Sequence, residues 1–479
     1  MISLSPNRRA RARGNSALTT TRRASRTNAI YQRRTPAASL IVFLLAGVAT
    51  DVAARAPTEP VATLAEPALA TPELFLTALT LPEALRIAVD GNPGLAEMRS
   101  RAQAAAQVPS QAGSLPDPKI NLNALNLPVD TFSRSQEAMT QMQFGVSQSF
   151  PFPGTLRLRR EAATYEAEAA SLSVDEARLR LLRDVKKAWW ELAYLDRAMA
   201  IIRDNLTLID QFIDIANTKY GVGKGLQQDV LLGQVERGRL HDRMLQLQGM
   251  RGVMAARLNA SLARPQNALV KLPERIDEAL PSLPVPGQFI SEAEQQRPLL
   301  AVLANKVNAA EANRELAEKS RYPNFSLGAN YGFRDGMNPN GSSRADFFSV
   351  MLSVDIPLYA GNKQRRLISQ RSAELSAQND ALLDTRNQVS AEVQAAWYAF
   401  SQAQEQSQLF RGGIIPQSRQ TVESMLAGYQ VNKVDFLNLV QSQISLYNFE
   451  QQYWRALTQA RQALADLAAA SGQESIDEN

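Results

Sequence analysis

The sequence predicts a mainly helical chain with a smaller strand component, built as two repeats of one unit. Three observations predict this class: a proline-free stretch of about 60 residues with helical apolar spacing, two short segments of apolar/polar alternation in each half, and landmarks that recur roughly 205 to 209 residues apart.

The landmarks keep the same order in both halves. "GNPGLAEMRSRAQAAAQ" pairs with "QRPLLAVLANKVNAAEA", so Pro93 corresponds to Pro298, and Pro118 of "PDPKINL" matches Pro323 of "RYPNFSL". Further on, "KKAWWELAY" matches "QAAWYAFSQ", and "YGVGKGLQQDVLLGQ" from Tyr220 matches "YQVNKVDFLNLVQSQ" from Tyr429. These pairs define repeat 1 over residues 81 to 263 and repeat 2 over 291 to 471, followed by a tail over 472 to 479. Between the repeats lies a linker over 264 to 290, with prolines at 273, 281, 284 and 286 that deny a helix its amide donors.

The N-terminal 56 residues have a different character. An Arg-rich start leads to the apolar run "ASLIVFLLAGVA" and then to Ala54-Arg55-Ala56, the pattern of a secretory signal peptide. The run is about twelve residues long, short of the roughly twenty a spanning helix needs. A mitochondrial transit peptide is the competing reading, since the segment is also Ser-rich and acid-free. Residues 57 to 80 form a Pro/Ala/Thr leader. The first 50 residues hold nine arginines and no acid. Removing these nine from the 52 basic residues leaves 43 against 47 acidic ones, so the overall basicity is no sign of a nucleic-acid partner. With no cysteine, the chain has no disulfides.

Within repeat 1, apolar residues at Trp189, Leu192, Leu195, Met199, Ile202, Leu206, Ile209 and Ile213 recur at spacings of three and four, the face of a helix packed lengthwise on another. No proline interrupts residues 156 to 220; a helix of that length would reach roughly 90 Å at about 1.5 Å per residue. The matching proline-free span in repeat 2 covers 360 to 415, with Val389, Val393, Ala396 and Phe400 at similar spacing and a more polar stretch after them. Shorter helices are expected near 82 to 108 and 292 to 319, with C-terminal partners near 226 to 262 and 434 to 470.

Strand patterns separate these helices. Ile120, Leu122 and Ala124, then Met142, Phe144 and Val146, alternate with polar or small residues. In repeat 2 the same holds for Phe325, Leu327, Ala329, Tyr331 and Phe333, and for Phe348, Val350, Leu352, Val354 and Ile356. Each pair is joined by a polar loop, 128 to 140 and 334 to 346. Period-two alternation gives one apolar and one polar face, which fits either a soluble sheet packed on helices or transmembrane β-strands of about 9 to 11 residues. Helices this long cannot tuck beneath a four-stranded sheet, and this favours the membrane reading. Four strands cannot close a barrel, so several chains must then share one; three would supply twelve strands.

The opening "LTLPEALRIAVDGNPGL", the strand-proline-helix junctions and the paired "YGVGKGLQQDV" and "YQVNKVDF" motifs resemble the TolC-type outer-membrane efflux proteins over residues 81 to 471. The junction "QSFPFPGTLRLRREA" is most similar to the heavy-metal branch that works with resistance-nodulation-division pumps. The resemblance implies a homotrimer with a twelve-stranded barrel in the outer-membrane lipid and an α-helical periplasmic tunnel. It also implies a membrane-fusion adaptor and an inner-membrane pump as partners. It places Tyr220, Val222, Gly223 and Asp229, and Tyr429, Val431 and Asn432, at the periplasmic tip that meets the adaptor and closes the pore. Asn438 and Gln441 stand where well-known members carry an acidic, cation-sensitive ring. Pro151, Pro153 and Gly154, with Pro357 and Gly361, mark the joints between barrel and helices.

The same tip residues also fit plain helix ends: Gly223 and Asn432 suit a turn of positive φ, and Asp229 suits a helix start. Arg157, Arg159 and Arg160, with Lys363, Arg365 and Arg366, fit a solvated face or anionic groups near the membrane. Trp189, Trp190 and Trp397 fit helix packing. One histidine, His241, and no phosphate-binding loop or metal-ligand spacing leave no residue set for catalysis, cofactor or metal binding. Two alternatives to a metal efflux duct stay open: a multidrug or type I secretion duct of the same family, and a soluble periplasmic coiled-coil structural protein.

Overall fold

A computed structural model describes residues 78–476. The signal segment, all but the end of the leader, and residues 477–479 of the tail lie outside the described residues. In chain order the elements are α1 (Leu81–Gly91), α2 (Pro93–Ala112), β1 (Lys119–Leu125), β2 (Gln141–Phe150), α3 (Thr155–Gly221), α4 (Gln227–Ser261), α5 (Pro286–Gln296), α6 (Pro298–Lys319), β3 (Asn324–Phe333), β4 (Phe347–Asp355), α7 (Gln364–Leu409), a π-turn (Phe410–Ile414), α8 (Ile415–Gln430) and α9 (Phe436–Ser471).

Each helix start has a local cause. Thr80 caps α1 by accepting from the Glu83 amide, with Pro82 in the first turn. The single helix expected near 82 to 108 is two helices, because Pro93 forces Asn92 into an extended conformation; the Asn92 side chain then caps α2 at the Leu95 amide, 3.0 Å away. Pro298 does the same in repeat 2, separating α5 from α6 at Arg297. At 67 residues α3 spans about 100 Å at about 1.5 Å per residue. Its counterpart continues past the proline-free span that ends at 415, through the π-turn and Pro416, to Gln430.

The four strands form one antiparallel sheet in the order β1-β2-β3-β4, so the two repeats meet at the β2–β3 pair. Its register collects the apolar set on one face: Ile120, Val146, Ala329 and Val350 stand in one row, and Leu122, Phe144, Tyr331 and Phe348 in the next. Asn121, Gly145, Asn330 and Ser349 form a row of the opposite face. The apolar side chains are exposed, and no helix covers either face of the sheet among the described residues. An apolar surface four strands wide, left bare, is what a lipid-facing wall requires and what a water-facing sheet avoids. β1 is shorter than the others, with seven residues.

The helices run away from the sheet. α2, α6 and α7 accompany the sheet-proximal parts of the bundle, while α3 continues onto α4 and α9. The far half is held by Ile202, Ile209, Phe212 and Ile213 of α3, Leu240 and Leu247 of α4, and Phe436 and Leu439 of α9. Midway, the two repeats share one device: Trp189 donates from its indole to the Leu79 carbonyl (3.0 Å), and Trp397 donates to the Pro284 carbonyl (2.8 Å). These indoles tie each long helix to the segment before the short helices of its own repeat. Nearby, the buried Arg297 contacts Glu392 at 2.6 Å and Glu176 at 3.6 Å, joining α3, α6 and α7. Both Arg297 and Glu176 keep only 8% of their side-chain surface; Glu392 lies closest to Arg297, and Arg180, one turn along α3, bonds Glu176 at 2.9 Å, so the buried charges are shared among four residues.

Candidate functional site

Two regions carry the residues singled out in the sequence: the joints between sheet and helices, and the paired tips at the far end.

At the first joint, β2 ends with Phe150, and Pro151 and Pro153 follow without amides to extend the ladder. The Phe152 amide donates to the Asn324 side chain of β3 (3.0 Å), and its ring stacks on Tyr322 at 4.4 Å. Gly154, at φ +88, turns the chain into α3 as its N-cap residue. The second joint differs. After Pro357 the chain makes a longer turn through 358–363 before α7 begins, and Gly361 has no positive φ and open space around its Cα. The glycine is therefore required by the backbone at 154 and not at 361.

At the tips, α3 passes to α4 and α8 passes to α9 through turns of the same construction. Gly223 (φ +70) and Asn432 (φ +63) occupy matching left-handed positions, and their amides return to the Tyr220 and Tyr429 carbonyls at 3.0 and 3.2 Å. The next amides, of Lys224 and Lys433, return to the Lys219 and Gly428 carbonyls at 2.9 Å. Asparagine is the side chain that best tolerates this conformation after glycine.

The surroundings of the two turns are unequal. Tyr220 is 48% exposed, whereas Tyr429 is 3% exposed, its ring 5.3 Å from that of Phe436. The Tyr429 hydroxyl donates to Asp229 Oδ2 at 3.3 Å, joining the second tip to the first turn of α4. Lys219 adds a second link: its ammonium lies 3.9 Å from the centroid of the Tyr429 ring and donates to the Tyr429 carbonyl. Burial, followed by the Asp229 charge and its hydrogen bond, pushes the Tyr429 hydroxyl up to about 12 from its ordinary 10.0. Val222, Val431, Asn438 and Gln441 are exposed.

The structure thus brings Asp229 and Tyr429 together across the repeats, while Tyr220, Val222, Val431, Asn438 and Gln441 take no part in that contact. Lys219 and Phe436 escaped the sequence reading. Lys219 offered one signal: its counterpart at the matching position is Gly428, so the two tips cannot be built alike there. A Cβ on Gly428 would stand 2.6 Å from Val434 Cγ2, and one on Gly225 would stand 2.9 Å from Lys219 Cβ, so each tip keeps one glycine where the turn crosses its helix.

A sheet with one bare apolar face, continuous with helices about 100 Å long that end in linked tips, defines a class: one protomer of a membrane channel with a long helical extension. The chain belongs to the outer membrane efflux protein family, whose pattern matches residues 84–264 and 289–473. It is an efflux channel protein of the outer membrane, the exit component of a tripartite system with its helices in the periplasm, and it is not an enzyme. It is 21% identical over 396 residues, 81% of this chain and 89% of the relative, to the cobalt-zinc-cadmium resistance protein CzcC of Cupriavidus metallidurans. The outer-membrane channel OprN shares its fold at a TM-score of 0.70 and 18% identity, over 82% of this chain and 89% of that one. The outer membrane protein VceC of Vibrio cholerae does so at the same score and identity, over 82% and 96%.

Proposed function

We propose that three copies of this chain close a twelve-stranded barrel, and that the assembled duct passes metal cations delivered by a resistance-nodulation-division pump through a membrane-fusion adaptor. The observation that carries the assembly is the four-stranded sheet with one bare apolar face and two unpaired edges, β1 and β4. A sheet in lipid must close, because each unpaired backbone group there costs several kcal/mol. The metal cargo is supported by the similarity to a cobalt-zinc-cadmium resistance protein and by the Pro-Phe-Pro-Gly junction.

In this reading the tips dock on the adaptor and gate the duct. Val222 and Val431 present apolar side chains at the end of the bundle, and Tyr429–Asp229 holds the second hairpin against the first. Asn438 and Gln441 are neutral, so a ring built from them would hold cations weakly. Deleting the gene and measuring growth on cobalt, zinc, cadmium and copper salts and on a drug panel tests the cargo. Lower tolerance to metals is expected; loss of drug tolerance alone would assign the duct to the multidrug branch.

A further inference from the structure

The π-turn in repeat 2 has no counterpart in repeat 1, and a one-residue difference between the repeats coincides with it. Before the turn, buried Val393, Phe400, Ala403 and Ser407 stand 208 positions after buried Val185, Leu192, Leu195 and Met199. Beyond it, Val422 stands 209 positions after Ile213, and Tyr429 stands 209 after Tyr220. Repeat 2 therefore carries one extra residue between Ser407 and Val422. In a regular α-helix that residue would turn everything beyond it by about 100° and displace it by about 1.5 Å. The π-turn absorbs it: the Ile415 amide bonds to the Phe410 carbonyl, five residues back, so both ends of the helix keep the phase that buries them.

The absorbing segment is weakly built. Gly412 and Gly413 would each have room for a Cβ, so space does not demand glycine there. Pro416 follows at the start of α8 without an amide for the ladder. Beyond it α8 buries only Val422 and Tyr429, whereas α3 over the matching stretch buries Ile209, Phe212, Ile213 and Ala216. At the far end, the Tyr429 hydroxyl on Asp229 opposes rotation.

We infer that the π-turn Phe410–Ile414 stores one residue of helical slack, and that its conversion to regular α-helix turns the second tip by about 100° and withdraws Tyr429 from Asp229. The inference rests on the proposed gating role of the tip and gives that role a moving part. It makes an uncommon forecast: deleting Gly412 removes the slack without disturbing the tip, because a straight helix then runs in the phase already used by α3.

The test uses the full-length protein, whose lack of cysteine makes any introduced pair unique. Cysteines at Asp229 and Tyr429 report the tip by cross-linking with a short bifunctional thiol reagent; cysteines at Lys187 and Asp466, an ion pair of 2.7 Å nearer the sheet, report folding. In the Gly412 deletion both pairs are expected to cross-link as in the parent, while deletion of Asn205 in repeat 1 is expected to abolish the tip cross-link. In planar bilayers the Gly412 deletion is expected to suppress the channel openings that Tyr429→Phe promotes. Loss of the tip cross-link with the control pair intact would show that the turn is no absorbed insertion. Unchanged opening by Tyr429→Phe in the deletion background would show that the slack takes no part in gating. Absence of any conductance in the parent would instead count against the duct reading, and the cross-links would still decide whether the turn holds slack.

Discussion

The substitution Tyr429→Phe isolates one atom of the tip. The phenylalanine ring keeps its place beside Phe436 and beneath the Lys219 ammonium, and only the hydroxyl on Asp229 is lost. A hydrogen bond to a charged acceptor is worth about 1.5–3 kcal/mol when well formed. At 3.3 Å this one is longer than the usual O–H···O contact, which places it nearer about 1 kcal/mol. Since about 1.4 kcal/mol is a tenfold change in an equilibrium, its loss should raise the open fraction of single channels in planar bilayers about fivefold. Tyr429→Ala also removes the ring contacts and should exceed tenfold. The same contact has a pH signature. The neutral hydroxyl is the form that donates, and folding raises its pKa from 10.0 to about 12, so its contribution is whole below pH 10 and is lost as the pH rises through about 12. The parent should therefore open over that interval, and Tyr429→Phe should lack this step. Equal open fractions for parent and Tyr429→Phe, with no pH step in either, would refute the reasoning.

Three further outcomes follow from the joints, the sheet and the buried ion cluster. Gly154→Ala places a Cβ at φ +88 and should destabilise the protein by about 1–2 kcal/mol, whereas Gly361→Ala should be neutral, as read by denaturant midpoints in detergent micelles. Val350→Arg, on the apolar face, should cost about 2–4 kcal/mol in the same measurement, while Ser349→Arg on the polar face should be tolerated. Arg297→Ala removes one of the two guanidinium partners of the buried Glu176, Arg180 remaining at 2.9 Å, and should cost about 1–3 kcal/mol; Arg180→Ala in that background strips the second partner and should add to the loss.

The sheet was legible in the sequence because a period of two has a single reading once both faces are compared: the alternating sets from Ile120, Met142, Phe325 and Phe348 onward are the sets the register aligns. The long first helix was legible to within a residue, since nothing between Pro153 and Gly221 opposes helix formation. The break at Asn92 was missed although Pro93 was in view, because a proline in the first turn of a helix and one that ends a helix look alike locally. Pro416 shows the converse, bounding the proline-free span of repeat 2 without ending the helix. It sits where the π-turn has already given up the regular ladder, so the helix passes through it. The contact between Tyr429 and Asp229 joins residues 200 positions apart, and no periodicity reports that distance. Gly223 and Asn432, by contrast, betrayed their left-handed conformations through residue type alone.

The unpaired edges of β1 and β4 bear on how the protein reaches its membrane. A lone chain would carry two rows of free amides and carbonyls into hydrocarbon, so insertion and assembly must be a single event in biogenesis. A subunit with a defective edge would then be more than inactive. By occupying a place beside normal subunits it would spoil their closure, and such alleles should be dominant when both forms are made in one cell.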